Sequence, residues 1–291
     1  MSSAQTTRLT AILTMVAAMA CLSTQDTFSK KLMLSLAPVL IIWTRYGLQT
    51  ALAGVSIWRS RSPQWLRTRQ WRLQLLRGAL VVGGSVFGYG ALQRMPVAEF
   101  TAIYCLVPLA VTLVARFVMK EQVSPAGWLC MAGGLCGALL VVRPGGHVDP
   151  TGAALALMGV ICYTGFQTLT GVLARQDSPL TIQLYTSAFG FVSLSVLVPF
   201  FWPAEWPWPT LALLAWVALA GSYGQYFMVL AFSKAPASTL SPYLYSAIGF
   251  SALGGWLMFD HWPDALAVGG MGMIAGFGLL SGWLNNPKAT A

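Results

Sequence analysis

The stretch GSVFGYGALQRMPVA, residues 84–98, closes one apolar segment, turns at Arg94 and Pro96, and opens the next. A related stretch, GQYFMVLAFSKAPAS, occupies residues 224–238. The two share a glycine, a phenylalanine, an alanine and a proline at equivalent positions, and Lys234 occupies the position equivalent to Arg94. Such self-similarity at a fixed spacing indicates that one structural unit occurs twice in the chain.

The repeat extends beyond this stretch. In the segment that follows, Leu113 matches Leu253. The first segments of the two halves match at three more positions, where Cys21, Thr27 and Leu32 are answered by Cys162, Thr168 and Leu173. We therefore predict two copies of a five-helix unit, over residues 1–143 and 151–285, followed by a cytoplasmic tail at 286–291.

The composition is that of an integral membrane protein. Of the 291 residues, 56% are hydrophobic and only 9% are charged, whereas a soluble domain carries roughly 25% charged residues. The net charge of +9 includes five arginines between positions 59 and 72, and positive residues beside a membrane fix the orientation of its helices. We therefore predict the lipid bilayer, and no nucleic acid, as a partner of this chain.

Several kinds of chemistry have no motif in this sequence. The five cysteines lie inside apolar segments without CxxC or Cys/His spacing, so neither a disulfide framework nor a metal site is indicated. The chain also lacks a Walker A sequence and a paired-carboxylate motif. We therefore predict no cofactor, no catalytic residues and no direct use of ATP.

Ten apolar segments follow one another, each close to the ~20 residues that a helix needs to cross the hydrocarbon core. They cover residues 9–32, 38–58, 73–93, 96–119, 124–143, 151–174, 179–201, 209–232, 237–259 and 265–285. We predict an all-α integral membrane fold of ten transmembrane helices. The first segment has a counterpart at 151–174, so we interpret it as a retained helix rather than a cleaved signal peptide.

Lysine and arginine counts predict the orientation. With the N-terminus in the cytoplasm, twelve of these residues, Arg77 and Arg175 among them, fall on the cytoplasmic side and four fall outside. This asymmetry predicts a multi-pass protein of the cell inner membrane with both termini in the cytoplasm. Because five helices per unit is an odd number, the two units are inverted repeats around a central cavity, and such repeats suit alternating access.

Two elements carry a resemblance to a known family. They are LQRMPVAEFTAIYCLVPL at residues 92–109 and FSKAPASTLSPYLYSAIG at 232–249, each followed by a helix, a short polar turn and a glycine-rich helix. The polar turns are Lys120 with Glu121 and Asp260 with His261. The chain resembles the EamA-type ten-helix exporters of the drug/metabolite transporter superfamily, in their amino-acid and metabolite exporter branch. The resemblance implies secondary transport through a cavity lined by helices 1, 3, 4, 6, 8 and 9.

Ionisable residues inside the apolar segments are candidates for gating or energy coupling. Asp26 is the only carboxylate well inside a segment, and Arg45 lies at similar depth in the next one. Charges within a membrane span are functional candidates whose partner should be named. The sequence leaves two interpretations open: a gate or proton-linked site, or a structural pair of Asp26 with Arg45 or Lys30.

Pro108 is a third gating candidate. It lies inside the fourth segment, where its missing N–H frees a carbonyl group and can create a hinge. A hinge beside the cavity and a tolerated kink remain equal alternatives. Glu99, in the first turn after Pro96, is expected to complement the helix dipole.

Tyrosines and amides inside the segments are the candidate solute-binding residues. An aromatic ring with a hydroxyl group suits a cavity for amphipathic solutes, although a single tyrosine is more often a core or interface residue. The resemblance implies that the helices carrying this set surround the cavity. The candidates are Gln25, Tyr89, Tyr104, Tyr163, Gln167, Tyr223, Gln225, Tyr226, Tyr243, Tyr245 and Ser246.

The fifth and tenth segments are rich in glycine without polar companions. Close packing between these two segments is the expected role of their glycines. A dimer face is the alternative, so the sequence allows either a monomer or a homodimer.

Three classes of function compete for this sequence. The inverted repeats favour a secondary transporter that exports small organic metabolites. A membrane-embedded enzyme would need converging acid–base or metal-binding residues, and the two histidines, His147 and His261, supply little. A structural protein is the third class.

The identity of the solute is predicted from the expected cavity. Almost no buried charge is expected there, which disfavours phosphates because these require arginine or lysine clamps. Amino acids are the predicted solutes, with drugs or other neutral metabolites as the alternative.

Overall fold

The computed structural model describes residues 3–60, 68, 70–92, 94, 97–142, 149–203, 205–259 and 265–284. Within these ranges, every element of regular secondary structure is a helix. Some of the predictions fall outside the described residues, namely those for Pro96, His147, Asp260, His261 and the tail 286–291, together with those for the side chains of Tyr89 and Glu99.

The helices lie where the apolar segments predict them. Along the described chain they are α1 Ser3–Leu32, α2 Pro38–Ser60, α3 Trp71–Leu92, α4 Val97–Tyr104, α5 Leu106–Phe117, α6 Pro125–Val142, α7 Pro150–Leu173, α8 Pro179–Ser195, α9 Trp208–Lys234, α10 Ala237–Leu244, α11 Ser246–Phe259 and α12 Ala265–Leu284. A short 3₁₀ turn, Val198–Phe201, follows α8.

The fourth and ninth predicted helices are each broken in two. Cys105 separates α4 from α5, and Tyr245 separates α10 from α11, at positions that are equivalent in the repeat. Pro108 is the third residue of α5, so its missing N–H falls beside the first break. Pro242 lies inside α10, just before the second break. The two breaks therefore share a position in the repeat although their prolines do not.

Local sequence explains why two of the helices begin where they do. α7 starts with Pro150 after Asp149, whose carboxylate accepts a hydrogen bond of 2.8 Å from the backbone N–H of Gly152. α8 starts with Pro179 after Ser178, whose hydroxyl accepts from the N–H of Thr181 at 3.1 Å. A short polar side chain at the cap followed by proline is a strong start signal, because it satisfies amide groups that have no partner within the helix.

Four stretches of the described helices are long and apolar enough to cross a membrane. They are Thr6–Leu32 within α1, Pro125–Val142, Pro150–Leu173 and Trp208–Lys234. Each offers at least the roughly 17 residues that a span requires. The fold is therefore that of an all-helical membrane protein.

The helices pack in reciprocal pairs. α1 packs along α9 and α3 along α7, while α2 packs on α8 and α6 on α12. In the α2–α8 pair the ring of Phe191 lies over Gly47, and the ring of Tyr46 lies over Gly190. At one of its own glycines, each helix of this pair thus packs against an aromatic ring of its partner.

Glycines bring α6 and α12 into backbone contact, as the sequence predicts for its fifth and tenth segments. A Cβ atom on Gly137 would lie 2.8 Å from the carbonyl oxygen of Gly270, and one on Gly270 would lie 2.6 Å from that of Gly137. The prediction of close packing is therefore confirmed at these positions. It does not extend to Gly269, Gly272 or Gly276, where an added Cβ would meet no atom within 4 Å.

Candidate binding cavity

A cavity of about 320 Å³, counted with its opening, lies between α2, α3, α7, α8 and α9. The side chains of two arginines, three glutamines, one tyrosine and one threonine form its polar wall. A phenylalanine ring and two valines form its apolar wall. Its lining residues are Arg45, Tyr46, Gln49, Arg77, Val81, Phe166, Gln183, Thr186, Gln225 and Val229. The predicted candidates Arg45 and Gln225 are thus brought together in one cavity.

Arg77 is the most deeply buried charged residue on this wall, with 1% of its surface exposed. Its Nε donates to the hydroxyl of Thr170 at 2.8 Å, and its Nη1 donates to the hydroxyl of Thr186. The guanidinium carbon also lies 4.4 Å from the centre of the Phe166 ring, in a cation–π arrangement. Arg77 therefore links α3 to α7 and α8 through neutral groups.

The position of Arg77 bears on two sequence-based expectations. The sequence predicts a cavity with almost no buried charge, and this prediction is wrong because Arg77 is buried in the cavity wall. The sequence also predicts Arg77 on the cytoplasmic side, and its burial leaves that prediction open. A signal was present in α3, because Gln74 and Arg77, one turn apart, share a face with Gly84, and all three are buried. A charged residue on a helix face that otherwise carries small and amide side chains indicates burial rather than a flank.

Two oxygen atoms buried in the cavity wall have no hydrogen-bond partner among the described residues. They are the hydroxyl oxygen of Tyr46 and the side-chain carbonyl oxygen Oε1 of Gln183. The amide nitrogen of Gln183 donates to the carbonyl of Ser222 at 3.1 Å, which holds the amide plane in place. Buried polar groups are nearly always satisfied, so these two are suited to meet a ligand.

Asp26 and Arg45 are joined through a third side chain. Gln25 donates from Nε2 to Asp26 at 2.7 Å, and its Oε1 accepts from Nη1 of Arg45 at 3.1 Å. Asp26 is exposed, whereas Gln25 is buried. The arrangement therefore places these three candidates in one hydrogen-bonded chain beside the cavity wall.

Other predicted site residues on α7 and α4 lie near the cavity without forming its wall. The ring centre of Tyr163 is 5.6 Å from that of Phe166, which lines the cavity. Gln167 is buried, and its Oε1 has no partner among the described residues. The hydroxyl of Tyr104 lies 3.5 Å from the carbonyl oxygen of Gly84.

The predicted residues of α10 and α11 lie among scaffold contacts. The hydroxyl of Tyr245 donates to the carbonyl of Cys105 at 3.0 Å, and its ring packs on Gly134. Tyr243 is buried in the main apolar core, and Ser246 donates to the carbonyl of Tyr243 at 2.6 Å.

The remaining candidates are spread over α5 and α9. Pro108 is buried in the first turn of α5. Tyr223 is 55% exposed, and Tyr226 is partly buried beside Phe227. The structure thus does not bring the whole predicted set to one place, because the tyrosines occupy different faces of their helices.

Polar contacts gather at one end of the bundle. Glu121 pairs with Arg175 at 2.5 Å and accepts a second hydrogen bond of 3.0 Å from the backbone N–H of Ser238, at the start of α10. Asp177 accepts from Gln74 at 2.8 Å. Glu121, which follows α5, thus contacts the residues after α7 and the start of α10. Gln74, near the start of α3, also contacts the residues after α7.

The sequence pattern of the EamA-like transporter family matches residues 9–143. The chain carries an EamA-like transporter domain. The resemblance drawn from the turn and proline elements is therefore confirmed at the level of the family.

Relatives of this chain support the same conclusion. It is 28% identical over 222 residues to a riboflavin transporter of Brucella anthropi, which covers 70% of this chain and 75% of the relative. It is 24% identical over 213 residues to an S-adenosylmethionine uptake transporter of Rickettsia prowazekii, covering 72% and 71%. It is 26% identical over 227 residues to the pseudopaline exporter CntI of Pseudomonas aeruginosa, covering 75% and 74%. The family and these relatives are transporters of small metabolites rather than enzymes.

A protein of known crystal structure shares the fold of this chain. The two superpose with a TM-score of 0.83 over 98% of this chain and 100% of the other, at 19% sequence identity. At that identity the likeness shows the fold, and the cavity residues described above must carry any statement about solutes.

Proposed function

We propose that this protein is a secondary transporter that exports small organic metabolites, with amino acids as its solutes, across the inner membrane by alternating access. The observation that carries the proposal is the position of the cavity between the two halves of the chain. α2 and α3 of the first half form one side, and α7, α8 and α9 of the second half form the other. Its mixture of polar and aromatic groups is typical of solute sites.

The pairing of helices supports two inverted repeats, over residues 1–143 and 151–285. The first helix of each unit packs on the third helix of the other, as α1 on α9 and α3 on α7. Two units related by a two-fold axis would pack in this reciprocal way. With five membrane crossings per unit, the second unit is inverted relative to the first, which suits a site that opens alternately to each side.

The orientation of the chain is part of the proposal. The lysine and arginine asymmetry supports cytoplasmic N- and C-termini and an external connection around residues 144–150. Reporter tags at both termini should therefore be accessible only from the cytoplasm, and a cysteine probe at 144–150 only from outside. An external C-terminus would contradict the arrangement of five crossings per unit.

The polar contacts at one end of the bundle support a conformational cycle. In the proposed orientation, the Glu121–Arg175 pair and the Asp177–Gln74 hydrogen bond lie at the cytoplasmic end. They join the two units, so they would hold the cavity closed on that side. Alternating access then requires them to break when the cavity opens to the cytoplasm.

Counterflow in proteoliposomes tests the proposal. Liposomes loaded with an unlabelled amino-acid mixture should accumulate radiolabelled amino acids transiently, and liposomes without the protein should not. Because relatives are named for riboflavin and S-adenosylmethionine, both compounds serve as parallel probes. Exchange of either compound without exchange of amino acids would overturn the choice of solute and leave transport standing. An absence of counterflow with every probe would contradict the transporter itself.

A further inference from the structure

We propose that Arg77 binds the carboxylate group of the solute, and that Tyr46 and Gln183 complete this subsite. The inference rests on the proposed function, because it names the chemical class that the cavity accepts. All three residues line the same cavity and are at least nine-tenths buried.

Arg77 carries a positive charge that is buried inside the protein. A guanidinium group withdrawn from water is strongly unfavourable unless an opposite charge and hydrogen bonds compensate for it. Among the residues that the structure describes, no carboxylate forms a salt bridge with Arg77. Its contacts are two threonine hydroxyls, the carbonyl of Ile182 and the face of Phe166, all of them neutral. An anionic ligand group in the cavity would supply the missing charge.

Hydrogen bonds from two of its three nitrogens fix the orientation of the Arg77 guanidinium. Nε is engaged by Thr170, and Nη1 is engaged by Thr186 and lies 3.5 Å from the carbonyl of Ile182. The third nitrogen, Nη2, has no acceptor in the part of the chain described. The two threonines thus fix the plane of the group and leave one donor edge for a ligand, which lowers the entropic cost of binding.

The two oxygen atoms without partners, on Tyr46 and Gln183, differ in the hydrogen bonds that they can form. The hydroxyl of Tyr46 can donate a second hydrogen bond to the anion, and Oε1 of Gln183 can only accept. A bare anion cannot use this acceptor, which lies in the wall of the same cavity as Arg77. It suits a solute that carries a donor close to its carboxylate, such as the α-ammonium group of an amino acid.

The number of donors favours a carboxylate over a phosphate ester. With Nε and Nη1 already engaged, Arg77 offers a ligand one nitrogen rather than the two-nitrogen fork that binds carboxylates and phosphates alike, so the charge of the ligand distinguishes the two classes. One nitrogen of Arg77 and one hydroxyl of Tyr46 match a single charge shared by two oxygens. A dianion would need a second cationic donor at this subsite, and the other arginine of the cavity wall, Arg45, donates from Nη1 to Gln25.

Binding to the purified full-length protein tests the subsite separately from transport. Thermal unfolding is followed with two matched probe pairs, L-leucine against L-leucinamide and benzoate against benzamide, and with inorganic phosphate. We expect the carboxylate member of at least one pair to raise the Tm and its amide to leave the Tm unchanged. No carboxylate-dependent shift in either pair, or a shift with phosphate alone, would overturn the proposal.

Three variants identify the residue responsible. Arg77→Gln should weaken the apparent affinity for the carboxylate roughly 10- to 100-fold, the loss expected for hydrogen bonds to a charged group. Arg72→Gln, on an exposed arginine of the same helix, is the matched control and should keep the shift. Tyr46→Phe should weaken binding without lowering the Tm of the empty protein, because its hydroxyl has no partner among the described residues. This last variant decides the matter even if Arg77→Gln does not fold.

The binding result and the flux result can fail independently. Carboxylate-selective binding that depends on Arg77, without counterflow of any solute, would remove the transporter proposal and leave the subsite. Counterflow of leucine and leucinamide at equal rates would remove the subsite and leave the transporter.

Discussion

The hydroxyl of Tyr245 donates a hydrogen bond of 3.0 Å to the carbonyl oxygen of Cys105, so the two helix breaks of this protein are bonded to each other. Each residue sits at the break of its own unit, and the two positions are equivalent in the repeat. The contact is nevertheless one-sided, because a tyrosine in one unit faces a backbone carbonyl in the other. The Tyr245 side chain at the break of the second unit is thus hydrogen-bonded to the backbone of the first unit.

Removal of that hydroxyl should loosen the junction. Tyr245→Phe keeps the ring over Gly134 but leaves the Cys105 carbonyl without this donor, and should cost about 1 kcal/mol of stability. The measurement is the Tm in detergent, and Tyr223→Phe, at a tyrosine that is 55% exposed, is the control. Equal Tm values for the two variants would contradict the role assigned to Tyr245.

The α6–α12 contact makes a sharp prediction about two neighbouring glycines. Gly270→Ala should lower the stability by about 1–3 kcal/mol, because the new methyl group would meet the Gly137 carbonyl at 2.6 Å. Gly269→Ala adds the same methyl group to open space and should be neutral or slightly stabilising. Thermal unfolding of both variants checks this, and a larger loss for Gly269→Ala would refute the packing.

The two partners of the Glu121–Arg175 pair should differ in importance. Glu121 is 9% exposed and also accepts from the N–H of Ser238, so Glu121→Ala should cost roughly 1–3 kcal/mol. Arg175 is 50% exposed, and its removal should cost less than about 1 kcal/mol because solvent screens the charge. The double variant should unfold like Glu121→Ala alone. An Arg175→Ala variant less stable than Glu121→Ala would reverse this assignment.

The cavity wall should respond to removal of its amide and of the neighbouring ring. Gln225→Ala and Tyr163→Ala should each slow amino-acid counterflow by about tenfold, the effect of one lost hydrogen bond or ring contact on affinity. Both proteins should remain monodisperse after extraction in detergent. Ser233→Ala, at an exposed position of α9, is the control for substitution in that helix. Normal flux in both variants across several amino acids would show that the lining is assigned wrongly.

Asp26→Asn separates a structural role from energy coupling. In the structure Asp26 accepts a hydrogen bond from Gln25, which in turn accepts from Arg45, and an asparagine can accept the same bond. We therefore expect downhill exchange in liposomes to survive with little dependence on an imposed pH gradient. If the parent protein accumulates solute in response to that gradient and the variant does not, Asp26 is the coupling residue instead.

Much of this architecture follows from the sequence. The lengths of the apolar segments predict helices that can cross a bilayer, and the repeat around residues 84–98 and 224–238 predicts the equivalence of the two breaks' surroundings. The capping residues Asp149 and Ser178 mark the starts of α7 and α8. These features depend on local composition and on spacing along one chain, which are visible without tertiary contacts.

Tertiary structure alone decided which polar residues meet. The sequence predicts Arg45 and Gln225 as site residues, and both line the cavity. It does not predict Arg77 or Gln183, which reach the cavity only because α3 packs on α7 and α8 packs on α2. Tyr245, predicted to contact solute, instead donates to Cys105, 140 positions away along the chain. An apolar helix has lipid and protein on different sides, and its own sequence does not say which face its neighbour will cover. Whether a charge such as Arg77 is a flank or a buried donor is therefore determined only when the helices are packed together.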